Sequence, residues 1–158
     1  MKQRTRDGNR TKIGGRGFPT RSTPLEDNPI TNMVKIALFR AIQEGNVGKV
    51  QDAQKMLGNV NVKGERGRTP LMVACQEGHI EIAAFLVNEG ADVHTKDDMG
   101  CTTMVYAIRS KHADIVEFLI SKGIDPNGKT DSNISYLTIA LSNKHDGVVD
   151  ILKKNGAK

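Results

Sequence analysis

Cysteine is scarce in this 158-residue chain, which has only Cys75 and Cys101. Two thiols are too few for a disulfide scaffold, and neither belongs to a Cys-x-x-Cys pair of the kind that holds zinc or exchanges electrons. No secretory apolar segment is present, so the thiols are expected to stay free and the protein to work in a reducing compartment, cytoplasmic or nuclear. Long apolar runs are missing too. Nothing approaches the ~18 apolar residues of a membrane-spanning helix, and no membrane partner is expected. The common catalytic signatures are also absent: no glycine-rich phosphate loop after a strand, no His-Glu-x-x-His, no serine elbow. The chain therefore reads as a non-enzyme with no cofactor and no resident metal.

Acidic residues are almost absent from residues 1–24, where Asp7 stands alone against Lys2, Arg4, Arg6, Arg10, Lys12, Arg16 and Arg21. That stretch carries +6 in a chain whose total is +5, so the remainder sums to −1. The sequence pI of about 9.3 belongs to this segment and not to the rest. Residues 1–30 are rich in Arg, Gly and Thr and poor in large apolar side chains. They cannot bury enough surface to offset ordering entropy, and a disordered, solvated tail is the plain expectation. A second reading is contact with RNA or an acidic partner, because arginines in a Gly-Gly-Arg-Gly context neutralise phosphates. A mitochondrial transit peptide is a third, weakened by the absence of an amphipathic apolar face. Thr23 before Pro24 is a phosphorylation candidate that would reduce the positive charge.

The rest of the chain is periodic. Ala41, Ala74, Ala107 and Ala140 fall at steps of 33, as do Asn46, His79, His112 and His145, and again Gly90, Gly123 and Gly156. A fixed period of this size predicts a solenoid of stacked supersecondary units. The most complete unit runs Thr69-Pro70-Leu71, Ala74, Gly78-His79 and Gly90-Ala91-Asp92-Val93. With these residues the chain resembles the ankyrin-repeat family. The resemblance implies an all-α, ankyrin-repeat solenoid of helix-turn-helix units joined by hairpin loops. On that basis a repeat domain is expected over 31–158, with repeats at about 31–63, 64–96, 97–129 and 130–158.

Local signals place the helices. Thr31 or Asn32 is expected to cap a helix from Met33 to Gln43, followed by a second from Val47 to Leu57. Further helices are expected near 70–77 and 80–88, 103–110 and 113–121, and 136–142 and 146–154. Gly64 and Gly67 are read as supplying turn conformations closed to other residues. Asn133 at a glycine position is a mild exchange. Gln51, Asp52, Gln54 and Lys55 make the second helix polar, as suits a terminal repeat with no neighbour on that side. Where the family carries a histidine in its Thr-Pro-Leu-His opening, this chain has Met72, Val105 and Thr138. Proline is also missing from the third and fourth openings. A softer C-terminal half is therefore expected.

The histidines and cysteines do not read as chemistry. His79, His112 and His145 hold equivalent places in successive units, about 10 Å apart in a stack. One zinc ion with ligands at about 2 Å cannot bridge them, and they are expected to begin second helices. Cys75 occupies a small core position, where a thiol without a neighbouring cation is inert. Cys101 is expected near a hairpin tip, exposed.

What remains is surface. The resemblance implies a concave face built from hairpin tips and first helices that binds another protein, as an adaptor, scaffold or inhibitor. Mapped onto this chain, its contact positions include Arg66, Arg68, Gln76, Met99, Cys101, Arg109, Ile134 and Asn143. Three of these, Met99, Cys101 and Ile134, form an expected apolar centre with Arg68 and Arg109 on its rim. A subunit of a nucleoprotein assembly, held through the basic tail, is the alternative. The domain is expected to be monomeric on its own. The resemblance also implies a hydroxylation candidate at Asn127, with Leu119 eight residues before it.

Overall fold

The computed structural model describes residues 28–158. The chain divides between Asn32 and Met33, and the second unit, Met33–Lys158, is compact. Of the first unit only residues 28–32 are described, and they already start a helix. Asn28 Oδ1 accepts from the Ile30 N–H at 2.9 Å, and the Asn28 carbonyl accepts from the Asn32 N–H at 3.0 Å. Asn28 is therefore the cap, and Pro29 opens the helix where its missing N–H removes no bond. The expectation of a cap at Thr31 or Asn32 is corrected, since both lie inside the helix.

Among the described residues eight α-helices form four pairs: α1 Pro29–Gln43 with α2 Val47–Leu57, α3 Pro70–Glu77 with α4 Ile80–Asn88, α5 Thr103–Arg109 with α6 Ala113–Ser121, and α7 Tyr136–Ser142 with α8 Asp146–Lys154. Successive pairs stack, α3 on α5 and α5 on α7, α2 on α4 and α6 on α8. This is the expected solenoid, and the helices of the last three pairs lie where their spacing placed them.

The period has a structural cause at each helix end. After every first helix one residue turns left-handed, at Gly45, Gly78, Lys111 and Lys144. The next N–H then reaches five residues back to the recurring alanine: Asn46 to Ala41 at 2.9 Å, His79 to Ala74 at 3.0 Å, His112 to Ala107 at 3.1 Å and His145 to Ala140 at 3.4 Å. Second helices close the same way at Gly90, Gly123 and Gly156, with Ala91, Ile124 and Ala157 bonding back to Leu86, Leu119 and Leu152. These are Schellman turns, which satisfy carbonyls that a helix end leaves orphaned. Asp92 and Asp125 then accept from the N–H two residues on, at 2.9 and 2.8 Å, and fix the exit of the chain.

Lys111 and Lys144 stand where the first two pairs have glycine, with φ of +66° and +52°. A side chain in this region is strained. Lys111→Gly and Lys144→Gly are each expected to stabilise the fold by about 0.5–1 kcal/mol, seen as a higher urea midpoint at unchanged slope. The two lysines add a second reason to expect a softer C-terminal half.

The histidines begin second helices, and two of them also join neighbours. The His79 ring covers Gly45, where a β-carbon would lie 2.8 Å from Cε1. The His112 ring covers Gly78 in the same manner, with Nε2 3.2 Å from the Gln76 carbonyl oxygen. His145 does neither. Its Nδ1 accepts from the Val148 N–H of its own helix at 3.3 Å. The preceding pair offers it Lys111 in place of a glycine.

Two asparagines one double step apart provide a further tie. Asn61 Oδ1 accepts from the Asp92 N–H at 2.9 Å, and Asn127 Oδ1 accepts from the Lys158 N–H at 3.0 Å. Each amide nitrogen donates to the carbonyl of the following Schellman glycine, Gly90 or Gly156. His94 occupies the intermediate step and is exposed.

The core is one continuous cluster. It takes Leu38 and Ile42 from α1, Leu71 and Ala74 from α3, Leu86 from α4, Met104 and Ile108 from α5, Leu119 from α6 and Leu152 from α8. Each large apolar side chain buried here contributes roughly 1.5–3 kcal/mol. The hairpin between α2 and α3 ends in a single 3-10 turn, Glu65–Gly67. Gly67 is left-handed at +70°, as expected. Gly64 is not, with φ −94°. A β-carbon there would lie 2.7 Å from the Phe39 ring, so space and not backbone conformation selects glycine.

Candidate functional site

The hairpin tips between pairs are tied to one another. The Asp98 N–H donates to the Arg66 carbonyl at 3.1 Å, joining the second tip to the first. Lys96 pairs with Asp131 on the third. Thr102 and Tyr136 share a hydroxyl–hydroxyl bond of 2.9 Å between the second tip and α7. Gly67 and Gly100 at +70° and +74°, and Asn133 at +60°, turn the chain at matching places.

Asp97 organises the second tip. Its Oδ1 accepts from the N–H groups of Met99 and Cys101, each at 2.8 Å, and its Oδ2 accepts from the Tyr106 hydroxyl at 2.6 Å. Burial alone would raise its pKa. The Tyr106 bond, the two backbone N–H groups and the Arg109 charge outweigh that and hold the carboxyl below its usual range. For Tyr106, burial first and then the bond to Asp97 push the phenol up, against the charge of Arg68. The phenol therefore stays a donor and the carboxylate an acceptor.

This network sets Met99 on a fixed base while leaving its side chain 73% exposed. Ile134 on the next tip is 44% exposed. Arg68 is half-buried, and its Nη1 donates to Gln76 Oε1 at 3.2 Å, while Gln76 Nε2 donates to Glu77 Oε1 at 3.2 Å. The Arg68 Nε and the Asn143 Nδ2 are buried and make no hydrogen bond. Arg66 and Arg109 are exposed. The charge of Arg109 acts on Asp97 and that of Arg68 on Tyr106, with Gln76 beside Arg68. No bond ties Asn143 to this group.

Cys101 departs from expectation. It is buried, its N–H engaged by Asp97. Burial pushes its thiol up, and the Asp97 charge adds to this. Cys101 is thus withdrawn from the surface, and the exposed large apolar residues at these tips are Met99 and Ile134. Cys75 is fully enclosed, and burial drives its thiol far up. Among the described residues no cluster of three or more His, Cys, Asp or Glu side chains could hold a metal ion. No helix among them is long and apolar enough to cross a membrane. Asp97 and Tyr106 were not marked by the repeat spacing, since Gly64 and Thr130 hold the positions equivalent to Asp97. The tail cations Lys2, Arg4, Arg6, Arg10, Lys12, Arg16 and Arg21, and Thr23, lie outside the described residues.

Stacked helix pairs carrying pinned, unequal tips define a repeat scaffold whose surface varies while its frame does not. The family model described as ankyrin repeats (3 copies) matches residues 38–130 and again 99–158, and the chain belongs to the ankyrin-repeat family. Its repeats are in general protein–protein interaction modules, and the family is typically non-catalytic. No curated protein sequence matches the chain.

Proposed function

We propose that this chain is a non-catalytic interaction module, an adaptor, scaffold or inhibitor, that grips a partner protein across its second and third hairpin tips. Met99 carries the reading. A large apolar side chain is held in water on a backbone already fixed by Asp97, so a partner that covers it does not have to order the tip. Ile134 extends the apolar contact, and Arg66, Arg68 and Arg109 favour a partner segment bearing carboxylates or free carbonyls. Gln76 supports Arg68, and Asn143, the C-cap of α7, adds a half-buried polar position to the contact face.

The partner is to be captured on the full-length chain, identified, and then titrated directly. Met99→Glu is expected to weaken the complex by about 30-fold or more, Arg109→Ala by roughly 5-fold, and Met99→Leu hardly at all. Unchanged affinity for Met99→Glu and Arg109→Ala places the contact elsewhere. The tail's charge of +6 favours a second reading, RNA or DNA contact within a nucleoprotein assembly. Binding of that kind falls steeply with salt, and is lost on deleting residues 1–24 or on nuclease treatment.

A further inference from the structure

The two ends of the stack are unlike the ends of a capped solenoid. A terminal repeat is expected to turn polar side chains outward. The first repeat does so with Gln51, Asp52 and Lys55 on α2, but leaves an apolar patch beside them. Met33 is 70% exposed, Ile36 62% and Met56 71%, and Ala37 is exposed between them. Val34 and Ala53 complete two shallow, largely apolar grooves on this face, with Arg40, Glu44, Lys49 and Asp52 also in their lining. At the step of Ile36 the later repeats carry Thr69, Thr102 and Ser135, and at the step of Met56 they carry Glu89, Lys122 and Asn155. The repeat that faces water is thus more apolar at these places than those that follow it.

Equivalent positions show what such a face is built to meet. The counterparts of Ala37 are Pro70, Thr103 and Tyr136, all buried within the stack. On the opposite side of each first helix, Leu38, Leu71 and Met104 are fully buried, as are Ile42, Cys75 and Ile108. Their counterparts in the last repeat are not. Leu137 is half-buried and Leu141 is 53% exposed. At Ile36 and Ala37 one end therefore presents one half of the repeat–repeat interface, and at Leu137 and Leu141 the other end presents the remaining half, whereas the steps of Met33 and Met56 stay exposed in every repeat.

We propose that these faces are an interface between copies of this chain, the Leu137–Leu141 end of one copy seated on the Ile36–Ala37 end of the next, with Met33 and Met56 at its edge. The contact continues the interface already formed three times within the chain. It is heterologous, so it does not close at two copies and builds short head-to-tail stacks.

Sedimentation of the full chain from micromolar to millimolar concentration tests this. The weight-average mass is expected to rise from 17.2 kDa past twice that value. Ile36→Glu alone and Leu141→Glu alone are each expected to stay monomeric, because each destroys one half of the contact. Both positions are exposed, so circular dichroism and thermal midpoints should stay near those of the parent. An equimolar mixture of the two variants retains one intact head and one intact tail, and is expected to form a one-to-one dimer that grows no further. The proposal is overturned if the parent is monomeric throughout, or if the mixture fails to associate. It is equally overturned if only one of the two substitutions abolishes association, which is the mark of a symmetric pair.

Discussion

Gly78→Ala is expected to destabilise the folded repeats by about 2–5 kcal/mol, far more than a methyl group on a surface turn normally does. Two effects add. The residue sits at φ +81°, where any side chain meets the following carbonyl at about 1–2 kcal/mol. The new methyl would also stand 2.7 Å from Nδ1 of His112, a ring belonging to the next repeat. That ring cannot step aside freely, because its Nε2 lies 3.2 Å from the Gln76 carbonyl. Overpacking of this kind costs about 1–3 kcal/mol. Gly90→Ala supplies the control, with φ +94° and nothing within 4 Å of the added carbon, so only the backbone effect applies. Urea unfolding of the two variants separates the terms, and Gly78→Ala with His112→Ala should recover the packing share. Stability in a stack resides in nearest-neighbour contacts, so the Gly78 variant is also expected to broaden or split the transition between second and third repeats. Equal losses in Gly78→Ala and Gly90→Ala would mean that His112 contributes nothing across the junction.

The same junction shows what could be read from the residues beforehand. Helices in the last three repeats follow from the Ala, Gly and His spacing, because a Schellman turn needs a left-handed residue at a fixed distance from the alanine it serves. Features outside the period were not legible. The helix start at Pro29 precedes the first full repeat, and Asn28-Pro29 competes with a nearby Thr-Asn that looks equally like a cap. Gly64 looks like a turn glycine until Phe39 is seen against it. Cys101 reads as a loop residue, and only the folded hairpin shows it withdrawn from the surface. At the candidate site, the resemblance names Arg68, Met99 and Arg109 as contact positions. The Asp97–Tyr106 bond that sets the tip was not legible, because it joins residues nine apart through a turn unique to the third repeat. The apolar first face went unread for a related reason. Polar residues in α2 point to a cap, and exposure of Ile36 and Met56 depends on which side of each helix the stack leaves open.

Asp97→Asn is expected to lower stability by about 1.5–3 kcal/mol at neutral pH, and to do so in a pH-dependent way. The amide keeps one oxygen for the Met99 and Cys101 N–H groups. It places an N–H₂ donor against the Tyr106 hydroxyl, which donates in the parent at 2.6 Å. Tyr106 has to turn or lose its partner, and a charge-assisted bond disappears either way. In the parent the folded pKa of Asp97 lies below the ordinary value near about 4. A depressed carboxylate contributes stability that is fully present above the unfolded pKa and is lost as pH falls through the folded one. The gap between parent and Asp97→Asn should therefore hold constant above about pH 5 and shrink below about pH 4. Amide exchange should quicken at Met99 and Cys101 while α8 keeps its protection, since the loss is confined to one tip. Tyr106→Phe, which removes a single donor and leaves the backbone bonds in place, should cost less and leave Met99 ordered. Binding of a partner should weaken in Asp97→Asn even though the side chain of Met99 is untouched, because the tip must then be ordered on contact. A stability gap of the same size at pH 3 and pH 7 would show that Asp97 is not the group whose charge holds the tip.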